Sequence, residues 1–544
     1  MKLVIMMAAL ATGIVIAPAS RAQTSASALT HEAAARSGRA RPGDAPLALT
    51  LDRATMMGLE RNESLAIARE ALASARAGLT AARGAYDPVL ELNGEWRKAS
   101  QPANSSFSGA PPGRLAPEVE AAGGGVALRQ LLPTGGSLSV SASGARATTD
   151  ALAVLLSPAY DTQVGVELRQ PLLRDLATDS YRLSVEVAGA GRDGARALVK
   201  NAFAETVAAV ERSYWGLVAA RLGLEVRDEA VRLAETQLDE TETRREMGTV
   251  PQTELAQPRA ELERRRGELL AAREVSDRAE NALKLLILAG DDDPLWTRAL
   301  DPVEDTAAPV VGPGELSRAL ERALDERPEI KVAEAVLSRR RAEEAFARDG
   351  VWPSLDAVVS YDRFGLTGTR NPAGTVANLP ASLQGGFQDA VSSLGRGDLD
   401  ATRVALVLGL PLPNRTARGL AAAAHHVSRE AEAELIRVRK TVRAEVLDAA
   451  AALETAGQRI AAARSAREAA EIQLAAERDR YATGLSTNFL VLTRQNDLSR
   501  AKLDEISART DYRTARTEMA RATGSLLDDR GISIDAQDRQ GGLR

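Results

Sequence analysis

The sequence predicts a mainly α-helical protein with a smaller β component, built from two structural repeats. Three observations predict this fold class. The sequence resembles itself at a fixed spacing, apolar residues recur at every seventh position over very long segments, and shorter segments alternate between apolar and polar residues. Each repeat is therefore expected to contain a long coiled-coil hairpin of two helices and a set of β-strands.

The internal repeat sets the organisation of the chain. Residues 51–90 match residues 316–355 without a gap, at an offset of 265 (316 − 51). In this block Leu51, Arg53, Ala54 and Leu59 recur as Leu316, Arg318, Ala319 and Leu324. In a second block, at an offset of 236, Gln237, Leu238, Arg244 and Gly248 recur as Gln473, Leu474, Arg480 and Gly484. The difference of 29 residues (265 − 236) places an insertion in the first half, where strands are predicted.

The chain begins with a predicted secretory signal over residues 1–22. Lys2 gives the positive start, residues 3–17 are apolar but too few to span a bilayer, and Ser20-Arg21-Ala22 gives a small-x-small cleavage site. No later window approaches the ~20 apolar residues that a membrane helix needs. The exported chain is therefore expected either to be soluble or to enter a membrane as β-structure. It has no cysteine, which excludes disulfides, a thiol nucleophile and lipidation of an N-terminal cysteine.

The repeats and the composition predict the segments of the exported chain. A mobile lead-in is expected at 23–46 and a disordered tail at 528–544. The first repeat, 47–290, is predicted to contain a helix, barrel strands at about 86–170 and a helical hairpin at 182–289. After a linker at 291–313, the second repeat, 314–527, is predicted to contain a helix, barrel strands at about 353–412 and a hairpin at 416–527.

Heptad spacing predicts the two helical hairpins, because it keeps one apolar seam on one side of a helix. The first outgoing seam is Phe203, Val210, Leu217, Leu224, Val231 and Leu238, and the returning seam is Leu255, Leu262, Leu269 and Leu283. The second pair of seams is Val446, Leu453, Ile460, Leu474 and Tyr481, then Val491, Leu498, Tyr512, Met519 and Leu526. No proline interrupts residues 198–247, a helix of about 75 Å at ~1.5 Å per residue. Pro258 is expected to kink the first returning helix.

Alternation of apolar and polar residues predicts strands with one apolar face. Their apolar members are Leu90, Leu92, Trp96, Val164, Val166 and Leu168 in the first half, and Leu355, Ala357, Val359, Tyr361, Val404, Leu406, Leu408 and Leu410 in the second. An extra hairpin is predicted within 126–142. These segments have about the ~9 to 11 residues that cross a bilayer as tilted strands. Stretches rich in Gly, Pro and Ser at 99–122 and 366–400 are expected to form external loops.

These elements, in this order behind a signal peptide, resemble the TolC family of outer-membrane efflux ducts. The motifs that carry the resemblance are Leu49-Thr50-Leu51-Asp52-Arg53-Ala54 at the first helix, Gln170-Pro171-Leu172-Leu173 and Leu410-Pro411-Leu412-Pro413-Asn414-Arg415 at strand-to-helix junctions, and Tyr481 with Gly484 at the second tip. The resemblance covers nearly all of residues 47–527.

The resemblance implies a homotrimer in the outer membrane of a Gram-negative bacterium. Three chains would close one transmembrane β-barrel in outer-membrane lipid and continue it as an α-helical tube across the periplasm, since unpaired strand edges are excluded from lipid. Four strands per chain would give the family's twelve-stranded barrel, but the segment at 126–142 leaves the strand number open. Function would be passive exit of small molecules or secreted polypeptides. An inner-membrane pump or ABC exporter, joined through a periplasmic adaptor protein, would supply the energy.

The resemblance also implies functional residues at the hairpin tips. Those expected to form the periplasmic tip and meet the adaptor are Gly248, Thr249, Val250, Gly484, Leu485 and Ser486. The candidate gate residues are Glu254, Tyr481, Leu490 and Thr493. Tyr481 matches a tyrosine that bonds across to the position of Glu254 in the closed state. Leu490 and Thr493 stand where the best-known pattern has two acidic residues, and Ser486 where it has an arginine, so an acidic ring is not implied here.

Each of these residues also has a purely structural interpretation. The two glycines could be ordinary helix stops, Tyr481 continues the heptad and could be a seam residue, and Glu254 could be a carboxylate favoured at a helix start by the dipole. His425-His426 is interpreted as solvated, because adjacent residues point about 100° apart on a helix. Asp291-Asp292-Asp293 is interpreted as a solvated turn, because it lacks the alternating ligands and terminal Glu of a calcium loop.

Charge and motifs argue against other function classes. The net charge of −5 does not indicate nucleic-acid binding. The sequence has no G-x-S-x-G, no P-loop, no H-E-x-x-H and no G-x-G-x-x-G between strand and helix, so no enzyme activity, cofactor or metal is expected. The main rival is a periplasmic coiled-coil adaptor or structural protein. It would share the heptads but would not need two sets of alternating strands.

Overall fold

The computed structural model describes residues 46–100, 109–306, 310, 312, 314–374 and 378–533. The predicted signal, the lead-in as far as residue 45 and the predicted tail from residue 534 lie outside the described residues. The helices are α1 (Leu51–Arg61), α2 (Glu63–Arg83), α3 (Ser180–Glu246), α4 (Ala256–Ile287), α5 (Leu316–Glu326), α6 (Pro328–Asp349), α7 (Phe387–Arg396), α8 (Arg415–Ala482), α9 (Asn488–Ala522) and α10 (Leu526–Asp529). The strands are β1 (Leu47–Leu49), β2 (Val89–Ser100), β3 (Glu118–Leu131), β4 (Ser137–Thr149), β5 (Leu156–Pro171), β6 (Leu300–Pro302), β7 (Ser354–Arg370) and β8 (Asp400–Gly409).

Two long helical hairpins, α3–α4 and α8–α9, dominate the molecule. Helix α3 has 67 residues and α8 has 68, so each is about 100 Å long at ~1.5 Å per residue. Near the first tip, Val231 of α3 packs with Leu262 and Leu269 of α4, as the heptads predict. Helix α4 reaches only part of the way back along α3, and the other half of α3 packs Phe203 against Leu65 of α2. No helix in the described part of the chain has an apolar stretch long enough to cross a bilayer.

Pro258 does not kink the first returning helix. Pro258 lies in the first turn of α4, which starts at Ala256 after a 3-10 turn over Gln252–Leu255. A proline in the first helical turn removes no intrahelical hydrogen bond and is accommodated without a kink. The predicted kink is therefore wrong, because the helix begins later than the heptad pattern indicates.

The opening helix of each repeat, expected as one element, is broken in two. The breaks fall at Asn62 and Arg327, which are equivalent positions of the repeat (62 + 265 = 327). Asn62 caps α2 by accepting from the Ser64 N–H at 2.9 Å, and its amide donates to the Leu286 carbonyl at 3.2 Å. Arg327 precedes Pro328, and a residue before proline is disfavoured in helical conformation. Each break thus places a buried polar side chain where it bonds the neighbouring helices.

The β-strands form one six-stranded sheet in the order β2-β3-β4-β5-β7-β8, with every neighbouring pair antiparallel. The extra hairpin predicted within 126–142 exists as β3 and β4, and both strands extend well beyond that range. Residues 99–122 and 366–400, expected as external loops, include the ends of β2, β3 and β7 and the helix α7. The strand number that the sequence left open is therefore six in the part of the chain that the structure describes.

The sheet has one apolar and one polar face. Cross-strand partners on the apolar face include Leu92, Val126, Ala142, Val164 and, further along, Val359 with Val404. The opposite face carries polar and charged residues, among them Glu91, Asn93, Glu95, Ser141, Gln163, Glu167, Asp362 and Arg403. Many apolar members are exposed in the single chain, including Leu92 at 77% and Val404 at 75%. This exposure requires an apolar environment outside the chain.

Helix α7 lies on the apolar face at the end of the sheet far from the hairpins. The Thr162 hydroxyl donates to the Ala390 carbonyl at 3.1 Å, and the Phe387 ring lies edge-on to Tyr160. Gly365 permits this approach, since a Cβ there would lie 2.1 Å from the Ala390 carbonyl oxygen. The helix therefore covers only the part of this face that lies far from the hairpins.

The region between the repeats is more structured than a linker. Within the predicted linker at 291–313, Leu300 to Pro302 form β6, which pairs in parallel with β1. Tyr214 of α3 donates its hydroxyl to the Leu49 carbonyl at 2.9 Å beneath this pair, and burial raises the pKa of Tyr214 to about 12. This strand was not expected from the sequence, because three residues are too few to show alternation.

The predicted disordered tail at 528–544 is ordered at least to residue 533. Its first residues complete α10, and Arg530 donates to the carboxylate of Glu211 at 2.7 Å. Glu211 is only 1% exposed and also accepts from the Thr517 hydroxyl. A buried carboxylate needs such partners, and they fix this part of the tail to α3 and α9.

Candidate functional site at the hairpin tips

The two hairpin tips have the same backbone geometry. Gly248 ends α3 with φ +71°, and Gly484 ends α8 with φ +75°. The residue after each glycine donates its N–H to a carbonyl five positions back, Thr249 to Arg244 at 3.0 Å and Leu485 to Arg480 at 2.8 Å. This is the left-handed helix ending that favours glycine. The repeat therefore builds two equivalent tips, each closing a long helix.

Nothing lies within 4 Å of where a Cβ would stand on Gly248 or Gly484. These glycines are required by backbone conformation alone and not by a close neighbour. The residues beside them are open to contact, since Thr249 and Leu485 are exposed, Leu485 at 80%, and Val250 is half-buried. The predicted tip surface is thus accessible in the chain.

Tyr481 does not bond Glu254 within the chain. Glu254 lies exposed in the 3-10 turn before α4, and its backbone N–H donates to Pro251. The Tyr481 ring instead lies under Arg244 of the other hairpin, with the guanidinium carbon 4.3 Å from the ring centroid. The same ring packs on the apolar seam of α8 and α9 around Leu474. Tyr481 therefore joins the two hairpins through its ring. Its packing is that of a residue of the apolar seam, the structural interpretation given above.

The other predicted gate residues lie on the first turns of α9. Leu490 is 38% exposed, and its N–H bonds the Thr487 cap. The Thr493 hydroxyl donates to the Phe489 carbonyl of its own helix at 2.8 Å. Neither side chain bonds the first hairpin among the described residues.

Ser486 was named from the sequence, but its partner and the polar residues that join the two hairpins were missed. The Ser486 hydroxyl donates to the carboxylate of Glu477, which is 9% exposed, so this serine is held by its own hairpin. Arg264 of α4 donates to the Asn496 amide oxygen at 2.9 Å, and Lys502 of α9 donates to Glu229 at 2.7 Å. The last two contacts join the first hairpin to the second at two places along α9. The only sequence signal for Arg244 was its repeat match to Arg480.

A groove of about 580 Å³ separates the hairpins beside Tyr481. Gln237 and Gln495 line it, and both are buried to at least nine-tenths. The Nε2 atom of Gln237 has no hydrogen-bond partner among the described residues. Near the tips the two hairpins are thus joined by a few polar contacts beside this groove.

One residue of the histidine pair and one of the three consecutive aspartates have structural partners. His425 Nδ1 lies 2.9 Å from Glu344, and this bond leads the contributions that lower the pKa of Glu344. Asp293 caps the 3-10 turn after α4 by accepting from the Leu295 N–H. No group of three or more candidate metal ligands occurs among the described residues.

Part of the sequence matches a known protein family. The family model described as outer membrane efflux protein matches residues 319–525, most of the second repeat. No curated protein matches the sequence significantly.

Several solved structures share the fold at low sequence identity. The CmeC outer membrane channel of Campylobacter jejuni has a TM-score of 0.62 at 16% identity, over 89% of this chain and 90% of that one. The outer membrane protein VceC of Vibrio cholerae has a TM-score of 0.60 at 16% identity, over 87% and 96%. The open state of the MtrE outer membrane channel of Neisseria gonorrhoeae has a TM-score of 0.56 at 19% identity, over 88% and 89%. The second repeat thus matches the outer membrane efflux protein family model, and nearly nine-tenths of the chain shares the fold of these outer membrane channels.

Proposed function

We propose that three copies of this chain form a channel in the outer membrane of a Gram-negative bacterium, through which small molecules or secreted polypeptides leave passively. The chain is the exit duct of a tripartite efflux or secretion complex. It supplies no energy itself and performs no catalysis. An inner-membrane pump or ABC exporter, linked by a periplasmic adaptor, energises the transport.

One observation carries this proposal: the six-stranded sheet has an exposed apolar face and a polar face, and it lies at one end of hairpins about 100 Å long. Its strands have 10 to 17 residues, enough for the ~9 to 11 that cross a bilayer as tilted strands. An apolar outer face suits lipid and a polar inner face suits a water-filled lumen. The helices would continue that lumen away from the membrane.

The hairpin tips support the adaptor part of the proposal. They lie at the end of the molecule opposite the sheet, so they would form the periplasmic entrance. Leu485 and Thr249 present exposed side chains there, and the left-handed glycines hold both tips in one shape. Substrate choice and energy then belong to the partners that dock on these tips.

A periplasmic coiled-coil adaptor or structural protein remains the rival, and fractionation of native cells distinguishes the two. We expect the chain in the outer membrane, resistant to extraction by salt and released by mild detergent as an oligomer that dissociates on heating. Deletion of the gene should raise intracellular accumulation of the exported compound, and the wild-type gene should restore export. Extraction by salt alone as a monodisperse monomer would contradict the proposal and favour the rival.

A further inference from the structure

The sheet ends in two strands whose outer edges have no partner within the described part of the chain. These are β2 and β8, the first and last in the strand order. They are also the most exposed strands, since nearly every residue of both is open to solvent. Unpaired backbone groups are excluded from lipid, so each edge needs a strand from another molecule.

We infer that β8 of one copy pairs with β2 of the next, so that three copies close a barrel of eighteen strands (3 × 6) instead of twelve. This inference rests on the trimeric channel proposed above. Because all neighbouring strands are antiparallel and their number is even, β8 runs opposite to β2. The joint between copies is therefore antiparallel as well, and the ring closes without a mismatched pair.

The side chains of the two edges select a register in which Val89 faces Gly409. In an antiparallel pair the numbers of opposite residues add to a constant (89 + 409 = 90 + 408). This register therefore places Leu90 opposite Leu408 and Leu92 opposite Leu406 on the apolar face. Matched apolar residues directly opposite each other stabilise a sheet by roughly 0.2 to 1 kcal/mol per pair. The apolar band thus continues across the joint between copies.

The same register pairs opposite charges at two positions. Glu95 faces Arg403 on the polar face (95 + 403 = 498), and Lys98 faces Asp400 (98 + 400 = 498). Lys98 already bonds Glu118 of β3, so Asp400 would extend an existing ion pair. A slip of two residues in one direction would instead set Arg97 opposite Arg403, and like charges directly opposite are destabilising.

Strand tilt excludes the slip in the other direction. A line across the sheet at right angles to the strands leads from Val89 to Arg403 through the printed partners Arg129, Ser139, Glu167 and Ser360. In the inferred register Arg403 then meets Glu95, which lies six residues beyond Val89 (95 − 89). Over the six strands of one copy this is a stagger of one residue per strand. With about 3.4 Å per residue and about 4.8 Å between strands, this corresponds to a tilt of about 35°, within the range of barrels. A stagger of four residues would give only about 25°.

An eighteen-stranded barrel would have a wide and charged lumen. Barrel diameter grows roughly linearly with strand number, so it would be about 1.5 times that of a twelve-stranded barrel. Glu91, Glu95, Glu167 and Arg403 lie on the polar face that would line it. Such a barrel would restrict solute size less than a twelve-stranded one.

Cysteine cross-linking tests this joint, because the natural chain contains no cysteine. The test variant carries Glu95→Cys with Arg403→Cys, and outer membranes are treated with a mild oxidant and with a short thiol cross-linker. We expect boiled samples to shift from monomer to covalent trimer, while each single substitution gives no trimer. Ser143→Cys with Gln163→Cys, which are partners within the sheet, must cross-link within one chain as a positive control.

A matched variant, Arg97→Cys with Arg403→Cys, tests the slipped register and should give far less trimer. The inference is overturned if Glu95→Cys with Arg403→Cys stays monomeric on boiling although the unheated protein is an outer-membrane trimer. It is overturned equally if only the Arg97 pair cross-links. If the unsubstituted chain forms no trimer in the outer membrane, the proposed function fails instead, so the two failures are distinguishable.

Discussion

Arg327 shows how a single side chain can fix the middle of the molecule. It is 3% exposed and donates to Glu329 at 2.7 and 2.9 Å, to Glu445 at 2.8 Å and to the Ala522 carbonyl at 3.1 Å. These bonds connect the break between α5 and α6 to α8 and α9. A buried guanidinium that satisfies this many acceptors stabilises the packing of all four helices.

Replacing Arg327 with Gln should destabilise the assembly, because two carboxylates lose their counter-charge. We expect a loss of roughly 2 kcal/mol per chain, below the ~3 to 5 kcal/mol of a fully buried pair, since water still reaches both carboxylates. The midpoint temperature of trimer dissociation in detergent should fall. Arg318→Gln is the matched control, because the Arg318 side chain is 82% exposed and its loss should leave the midpoint unchanged. Equal midpoints for the two variants would contradict this role.

The same cluster predicts sensitivity to acid. Burial raises the pKa of Glu329, but the bond and charge of Arg327 outweigh it, so its pKa lies below the ordinary 4.5. A carboxyl whose folded pKa is depressed stabilises the fold above its unfolded pKa, and this contribution is lost as the pH falls through the folded value. Trimer stability should therefore fall below about pH 4.5, and Glu329→Gln should be less stable at neutral pH but less sensitive to acid. An unchanged acid dependence in that variant would rule out Glu329 as a source of the effect.

Tyr481 is predicted to act through its ring and not its hydroxyl. Phenylalanine keeps both the seam packing and the contact with Arg244, so Tyr481→Phe should conduct like wild type in planar bilayers. Tyr481→Leu and Arg244→Gln remove the contact, worth about 0.5 to 1 kcal/mol per copy. If opening separates the hairpins, three copies together would raise the open fraction roughly tenfold or more. Increased leak in Tyr481→Phe would show that the hydroxyl holds the gate.

At the scale of elements, the tips depend on two left-handed glycines. Proline fixes φ near −65° and cannot adopt the +71° and +75° of Gly248 and Gly484. Gly248→Pro and Gly484→Pro should therefore spare insertion of the remote sheet but abolish export with the cognate pump, because the tip changes shape. Gly484→Asn, which tolerates this conformation, should keep much of the activity. Gly189→Ala, in a helical position with free space, should export normally. Normal export by both proline variants would remove the tips from the functional account.

The elements that the sequence predicted are those with a long periodic signal. Heptads predicted α3 and α8, and alternation predicted strands in both halves, including the extra hairpin. The breaks at Asn62 and Arg327 were missed because the apolar spacing continues across them. A local signal was present in the second half, where Arg327 precedes Pro328.

The contacts at the tips join residues of different hairpins, so sequence spacing could not predict them. The three residues predicted for each tip lie at the end of their hairpin, since glycine and the repeat mark those ends. The partner of Tyr481 could not be identified, because Arg244 lies on another hairpin and no sequence period relates the two. The strand β6 was missed because it has only three residues, and its partner β1 lies far away in the chain.

At the scale of the whole molecule, neither the sheet nor the hairpins are complete in one chain. The sheet exposes an apolar face and two free edges, and near the tips the hairpins are joined by scattered polar contacts beside a groove. The proposed closed ring of copies would complete both, because lipid would cover the apolar face and neighbouring strands would cover the edges. We therefore expect function to depend on assembly in the outer membrane more than on any single residue.

The most direct test is the single-channel conductance of the native oligomer. The protein is extracted from outer membranes in mild detergent, its mass is determined by light scattering, and the same fraction is added to planar bilayers. We expect particles of three chains that insert and give discrete, ion-conducting channels, while heat-dissociated monomers give none. A native particle of one chain, or a trimer that never conducts even with Arg244→Gln at its tips, would contradict this expectation.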